Sequence, residues 1–236
     1  MSWVPNSVLM RPLFALVLLA AATGAAADIL VVRSSGPSAK GYPPGRRLPE
    51  SARLALKAGD QLILLDGHGT RILRGPGSFT AGAPAIGRIA SAAPAVDRRA
   101  RIGAVRGIET GALRPPSIWH VDVARSSNFC VAEASKVTLW RADAAAAATL
   151  SIAGPGGRTK RIGWQPGSTT LDWPSDLPVS DGAEYRLSGA AAAPTTIRFR
   201  TIPARPAGLE DMAQILIRNQ CDAQLDLFID TVKLPG

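Results

Sequence analysis

The chain is poor in the residues on which catalysis and metal binding most depend. Its 236 residues include two cysteines and two histidines. Cys130 and Cys221 stand 91 positions apart with no CxxC and no neighbouring histidine, so the spacing of zinc sites and of thioredoxin-like chemistry is missing. His68 and His120 fall in separate segments. GxSxG and HExxH are absent, and no Gly-Lys-Ser/Thr loop or strand-to-helix GxGxxG is present. Ser78 and Ser168 follow glycines, but each lies in a turn signal with no candidate base nearby. A Ser/His/Asp triad gathered from distant positions needs no local motif. The expectation is therefore a non-catalytic protein that binds or scaffolds, with no catalytic residue, cofactor or metal site. The alternative is a secreted hydrolase or glycan-processing enzyme with a dispersed active site.

Long apolar runs are also scarce, and the one that exists is informative. "LFALVLLAAATGAAA" (13–27) grades into small residues and ends Ala25-Ala26-Ala27, the small-x-small pattern read by signal peptidase. Its end is too rich in alanine for a membrane span, which needs about 20 strongly apolar residues. Residues 1–27 read as a signal peptide, translation starting at Met1 or at Met10 beside Arg11, with cleavage before Asp28. A periplasmic or secreted protein with no retained transmembrane segment is expected. In an oxidising compartment two lone cysteines most often pair, so Cys130 and Cys221 are expected to form a disulfide.

Acidic residues are outnumbered 18 to 27, for a net charge of +9; removing the leader takes away only Arg11 and leaves +8. Such a surface favours anionic partners: an envelope protein with acidic groups, or an anionic envelope polymer such as lipopolysaccharide phosphate or acidic lipid. Nucleic acid is not expected outside the cytoplasm, and aromatics do not interleave with the arginines. Since 22 of the 27 basic residues are Arg, codon bias and solubility are the alternative reading of the charge.

Residues 28–81 read as a β-rich module. "AGDQLILLDGHGTRILRGPGSF" (58–79) places Asp66-Gly67-His68-Gly69 between largely apolar runs, a hairpin signal with His68 at the turn. Gly75-Pro76-Gly77 then turns the chain again. The segment from Leu56 to Phe79 resembles the repeated β-hairpins of FecR-type periplasmic sensor domains of proteobacteria. That resemblance implies an exported interaction module. FecR proteins signal through a membrane span, for which this chain has no retained counterpart.

Residues 82–116 lose periodicity and fill with Ala, Gly, Pro and Arg, as a linker does. Six arginines against Asp97 and Glu109 give it +4. Arg98, Arg99, Arg101 and Arg106 are the expected contacts for an anionic partner, and the stretch is expected to be cut first by trypsin.

Strand patterns then recur at close intervals over 117–203, where four of the five tryptophans fall within 55 residues. "IWHVDV" places Trp119, Val121 and Val123 on one face. "KVTLWR", "ATLSIA", "RTKRIGW", "STTLDW", "AEYRLSG" and "TTIRFRTI" follow, separated by turn signals, as in an antiparallel sandwich. "DLPVSDGAEYRLSG" (176–189) is similar to the E to F corner of immunoglobulin and fibronectin type III domains, Tyr185 matching the corner tyrosine; Leu187 stands where an antibody domain has cysteine. The resemblance implies an Ig-like fold with a Tyr185 hydroxyl bonded to upstream backbone.

The tail, 204–236, switches to helical spacing at Leu209, Met212, Ala213 and Leu216, then at Leu225, Phe228, Ile229 and Val232, with Asp222 as cap of the second helix. Asp222, Asp226 and Asp230 read as its solvated face. Calcium loops space their ligands more densely and turn on a glycine. The fold expected is mainly β: a small FecR-like N-terminal module, an Ig-like antiparallel sandwich and a short C-terminal helical hairpin held against the sandwich by the disulfide.

Overall fold

Apolar side chains on both faces of two central strands assemble the N-terminal region. The computed structural model describes Met1 and residues 28–83, 114–203 and 206–232. The signal-peptide expectation and Arg98, Arg99, Arg101 and Arg106 lie outside the described residues. Six strands come first: β1 (Asp28–Ser35), β2 (Arg47–Pro49), β3 (Arg53–Leu56), β4 (Gln61–Asp66), β5 (Gly69–Arg74) and β6 (Gly77–Thr80). An antiparallel sheet runs β2-β1-β4-β5, and β3 pairs with β6. On one face Ile29, Val31, Leu62 and Leu64 pack with Leu54 and Leu56 of β3; on the other Leu30, Val32 and Leu65 meet helices from the end of the chain. Two covered faces explain why β1 and β4 read as unbroken apolar runs.

The hairpin expected at 66–69 forms, with Asp66 paired to Gly69. The Asp66 carboxylate closes it, accepting from the His68 N–H at 2.9 Å and the Gly69 N–H at 3.3 Å. Of the turn residues only Gly69 takes a positive φ, 141°. Side-chain capping therefore replaces the mirror-image turn that Asp-Gly usually signals.

The second region holds β7 (His120–Asp122), β8 (Ser127–Val131), β9 (Thr138–Trp140), β10 (Ala148–Ala153), β11 (Thr159–Trp164), β12 (Thr170–Asp172), β13 (Glu184–Ser188) and β14 (Thr195–Thr201). They form a five-stranded sheet, β11-β10-β13-β14-β8, and a three-stranded sheet, β12-β9-β7. Most neighbours are antiparallel; β14–β8 and β7–β9 are parallel. The sheets share one core, with Val121 and Leu139 facing Leu150, Ile152, Leu187 and Ile197. At its centre Trp173 meets Tyr185 and Phe199 edge to face at 5.0 and 5.1 Å. The Tyr185 hydroxyl donates to the Pro178 carbonyl at 2.6 Å, and the Trp173 indole N–H to the Leu177 carbonyl at 2.6 Å, so both polar tips are satisfied. Burial lifts the Tyr185 pKa above its ordinary value. Trp119 departs from expectation. It lies in the turn before β7, 38% exposed, while Val121 and Val123 are buried.

Two helices complete the chain, α1 (Leu209–Arg218) and α2 (Asp222–Thr231). Their apolar sides, with Ala213, Leu216, Leu225 and Phe228 buried, dock against both β regions: Leu30, Val32 and Leu65 from one, Cys130 and Ile202 from the other. The sequence pointed only to the sandwich as their support. Asp222 is not the cap; it is the first residue of α2, Cys221 occupies the cap position, and no side chain caps that end. The Asp222 carboxylate is occupied elsewhere, by Arg33.

Candidate functional site

Three segments distant in sequence meet beside α2 and leave a cleft of about 520 Å³ between them. Ile63, Ile118, Phe129, Leu227 and Ile229 give it apolar walls, and Arg33, Arg114, His120, Asp122, Arg125 and Asp230 supply charge and hydrogen-bonding groups.

Arg33 reaches this cleft through a defect in β1. Val31 pairs with Leu64, but Arg33 rather than Val32 pairs with Ile63, so one extra residue is inserted. In a regular strand Arg33 would follow Val31 toward β3 and β6. The bulge turns it to the helix side. There its guanidinium bonds Asp222 Oδ1 at 2.8 Å, Asp226 Oδ1 at 2.8 and 3.0 Å, and the Asp222 carbonyl at 3.1 Å. Partial burial opposes the charge, but the hydrogen bonds and charges of the two aspartates outweigh it and raise the Arg33 pKa. Arg114 pairs with Asp230. The regularly spaced aspartates of α2 are thus its exposed face, as their spacing suggested, and each is held by an arginine from another segment. No group of three or more His, Cys, Asp or Glu that could hold a metal is present among the described residues.

Two devices fix α2 against β8. One is the Cys130–Cys221 disulfide, with a Cα separation of 5.9 Å and both residues fully buried. The other is Gln224. Its Oε1 accepts from the Cys130 N–H at 2.6 Å, and its Nε2 donates to the Cys130 and Ile118 carbonyls, each at 2.9 Å. β8 is an edge strand, and the Gln224 amide supplies it with the donor and acceptor of a missing neighbour. The sequence offered no signal for this beyond one glutamine on the apolar face of a helix.

His120 lines the cleft, with Nδ1 3.0 Å from Ser117 Oγ. That hydroxyl also accepts from the Trp119 N–H at 3.2 Å, and the His120 N–H donates to the Ser117 carbonyl, so the pair belongs to one tight turn. Asp122 does not orient the ring; its Oδ1 accepts from the Ala124 N–H at 2.9 Å. His68 is exposed at the β4–β5 turn.

The charged groups of the cleft are largely paired with one another, and what remains open to an incoming molecule is the apolar wall with Arg125 and the His120 turn. Such a surface can hold a ligand by shape and by exchange of ion pairs. No protein family matches the chain, and neither the curated proteins nor the solved structures contain a significant match to it.

Proposed function

We propose that this is a non-catalytic protein of the bacterial envelope, periplasmic or secreted, that binds or scaffolds through a FecR-like β module and an Ig-like sandwich joined by the C-terminal helices. The observation that carries the reading is the cleft at their junction, where three distant segments meet α2, locked by the disulfide and Gln224. Its catalytic complement is thin, since Asp122 is turned to its own backbone. Support for the Ig-like likeness comes from the Tyr185 corner bond and from a sandwich of two sheets around one core. A buried disulfide suits an oxidising compartment, and no helix among the described residues is long and apolar enough to cross a membrane.

A photo-crosslinking residue at Ile118 or Leu227, in protein expressed in its native host, tests the reading. Discrete adducts are expected from these two positions and none from Lys136, which is exposed away from the cleft lining. Adducts equal at all three positions would overturn it.

The Ser117–His120 contact favours a second reading, the secreted hydrolase. A fluorophosphonate probe decides between them: the binding reading expects no labelling, and labelling abolished by Ser117→Ala would establish the enzyme.

A further inference from the structure

The outer face of the five-stranded sheet carries an arrangement that the cleft does not use. Strand alternation sends Leu150, Ile152, Tyr185, Leu187, Ile197 and Phe199 into the core and leaves Arg161, Arg186, Arg198 and Arg200 on the other side.

The register sets these arginines in a line. Arg161 stands opposite Ser151, and Ser151 opposite Ser188. Arg186 lies two residues before Ser188 on β13, Arg198 stands opposite Glu184 two residues before that, and Arg200 lies two residues beyond Arg198 on β14. With strands about 4.8 Å apart and about 6.8 Å per two residues, successive arginines are about 12, 8 and 7 Å apart, a diagonal stripe about 25 Å long.

Between the arginines stand small side chains: Ser151, Ala153, Ser188 and Thr196. Among the described residues Glu184 is the one carboxylate on these strands' outer face, and it is paired with Arg198 at 2.5 Å. Asp181, at the Arg200 end, accepts from the Thr201 N–H at 2.8 Å. Asp222 and Asp226, across the neighbouring groove from Arg198, are held by Arg33. Neither Arg161 nor Arg186 has a carboxylate partner among the described residues, and both are exposed. The Nε of Arg200 is buried without a hydrogen-bond partner.

We propose that this stripe binds a linear acidic polysaccharide, the arginines meeting successive carboxylates and the Ser and Thr hydroxyls meeting sugar hydroxyls between them. Guanidinium forks match carboxylates in geometry as well as charge. The outer side of these strands has no aromatic residue, so the stacking platform that single-stranded nucleic acids use is missing. None of the four arginines lines the cleft beside α2.

The test is binding of the full, disulfide-bonded chain to immobilised polygalacturonate, with neutral dextran, polyphosphate and phosphatidylglycerol vesicles as comparison probes. Binding to polygalacturonate and not to dextran is expected, and it weakens steeply between about 50 and about 300 mM salt, as the screening length shrinks. Arg161→Ala and Arg186→Ala each reduce affinity about three- to tenfold, the range of one ordinary solvent-exposed hydrogen bond, with unchanged melting temperature. Arg161→Glu with Arg186→Glu abolishes binding. Arg53→Glu with Arg74→Glu, which makes the same change of net charge on the exposed surface of the N-terminal strands, leaves affinity within about twofold, because distant exposed charges are screened. Equal losses from the two charge-reversed pairs would overturn the stripe. Loss in Arg99→Glu with Arg101→Glu and not in the sheet variants would also overturn it, moving the anionic partner to the linker. Tighter binding to polyphosphate or vesicles, or no binding to polygalacturonate at low salt, would overturn the polysaccharide.

Discussion

The two β regions close their cores by different means. In the sandwich, residues 120–201 supply both layers, and the Trp173, Tyr185 and Phe199 rings interlock between them. The N-terminal sheet covers one face with β3 and β6 and takes the cover of the other from α1 and α2, far along the chain. Self-contained packing gives the sandwich a core that does not depend on the tail. Shared packing makes the N-terminal sheet and the helices one structural unit, and the candidate site lies where that unit meets β7 and β8.

Breaking the covalent link between the regions has the largest expected effect. Cys130→Ser and Cys221→Ser each remove a 91-residue closure, worth about 4 to 5 kcal/mol in the chain-entropy account. The two lower the melting temperature by similar amounts, and the double variant is little worse than either single one. Two reactive thiols in the native protein would contradict this.

Gln224→Leu comes next. It keeps the side chain close in size but makes it apolar, and leaves the Cys130 N–H and two carbonyls unpaired in a buried place, at a cost of about 1 to 3 kcal/mol for such a group. Crosslinking from the cleft positions should weaken as α2 loosens. A variant as stable as the parent would show that Gln224 does not close the β8 edge.

Tyr185→Phe has a smaller and more local effect. It removes one hydrogen bond, to Pro178, and lowers stability by about 1 kcal/mol, with hydrogen exchange in β1 and β4 unchanged. Faster exchange in those strands would mean the two cores are more tightly coupled than their packing indicates.

The smallest effect is a pH dependence of the N-terminal region. Asp60 is buried, which alone would raise its pKa. Hydrogen bonds from Ser38 and Lys57 win and lower it below the ordinary 3.8. A carboxylate with a depressed folded pKa contributes stability that is complete above its unfolded pKa and is lost as pH falls through the folded one. Stability of the parent therefore declines as pH drops below about 4, and Asp60→Asn lacks that component. Parallel acid-denaturation curves for the two proteins would contradict the assignment.

The sandwich was the more legible region because β10, β13 and β14 each bury one face. In "AEYRLSG" and "TTIRFRTI" alternation is unbroken, and both strands lie where the pattern put them. The parallel pairs β7–β9 and β8–β14 left no trace, since period two is the same in either direction. Trp119 was misplaced because β7 spans only three residues and the Ser117 turn precedes it. Leu209 to Arg218 and Asp222 to Thr231 were legible as helices from their apolar spacing, whereas the demand of the N-terminal sheet for a second cover was not. The cleft was the least legible feature. Its walls come from segments around 33, 63, 118 and 227, and the bulge that turns Arg33 into it depends on strand register, which no single strand encodes. The disulfide could be read in advance because only two cysteines exist to pair.

The helices share one core cluster with the N-terminal sheet that is separate from the core inside the sandwich, and region-resolved hydrogen exchange on two core variants tests this most directly. Leu225→Ala empties a fully buried position among the helices and the N-terminal sheet, and Phe199→Ala one inside the sandwich, each at a cost of about 2 to 5 kcal/mol. The account predicts that Leu225→Ala speeds exchange together in β1, β4, α1 and α2 while β13 and β14 keep their protection, and that Phe199→Ala does the reverse. Protection lost in the helices but retained in β1 and β4, or lost across the whole chain in both variants, would contradict it.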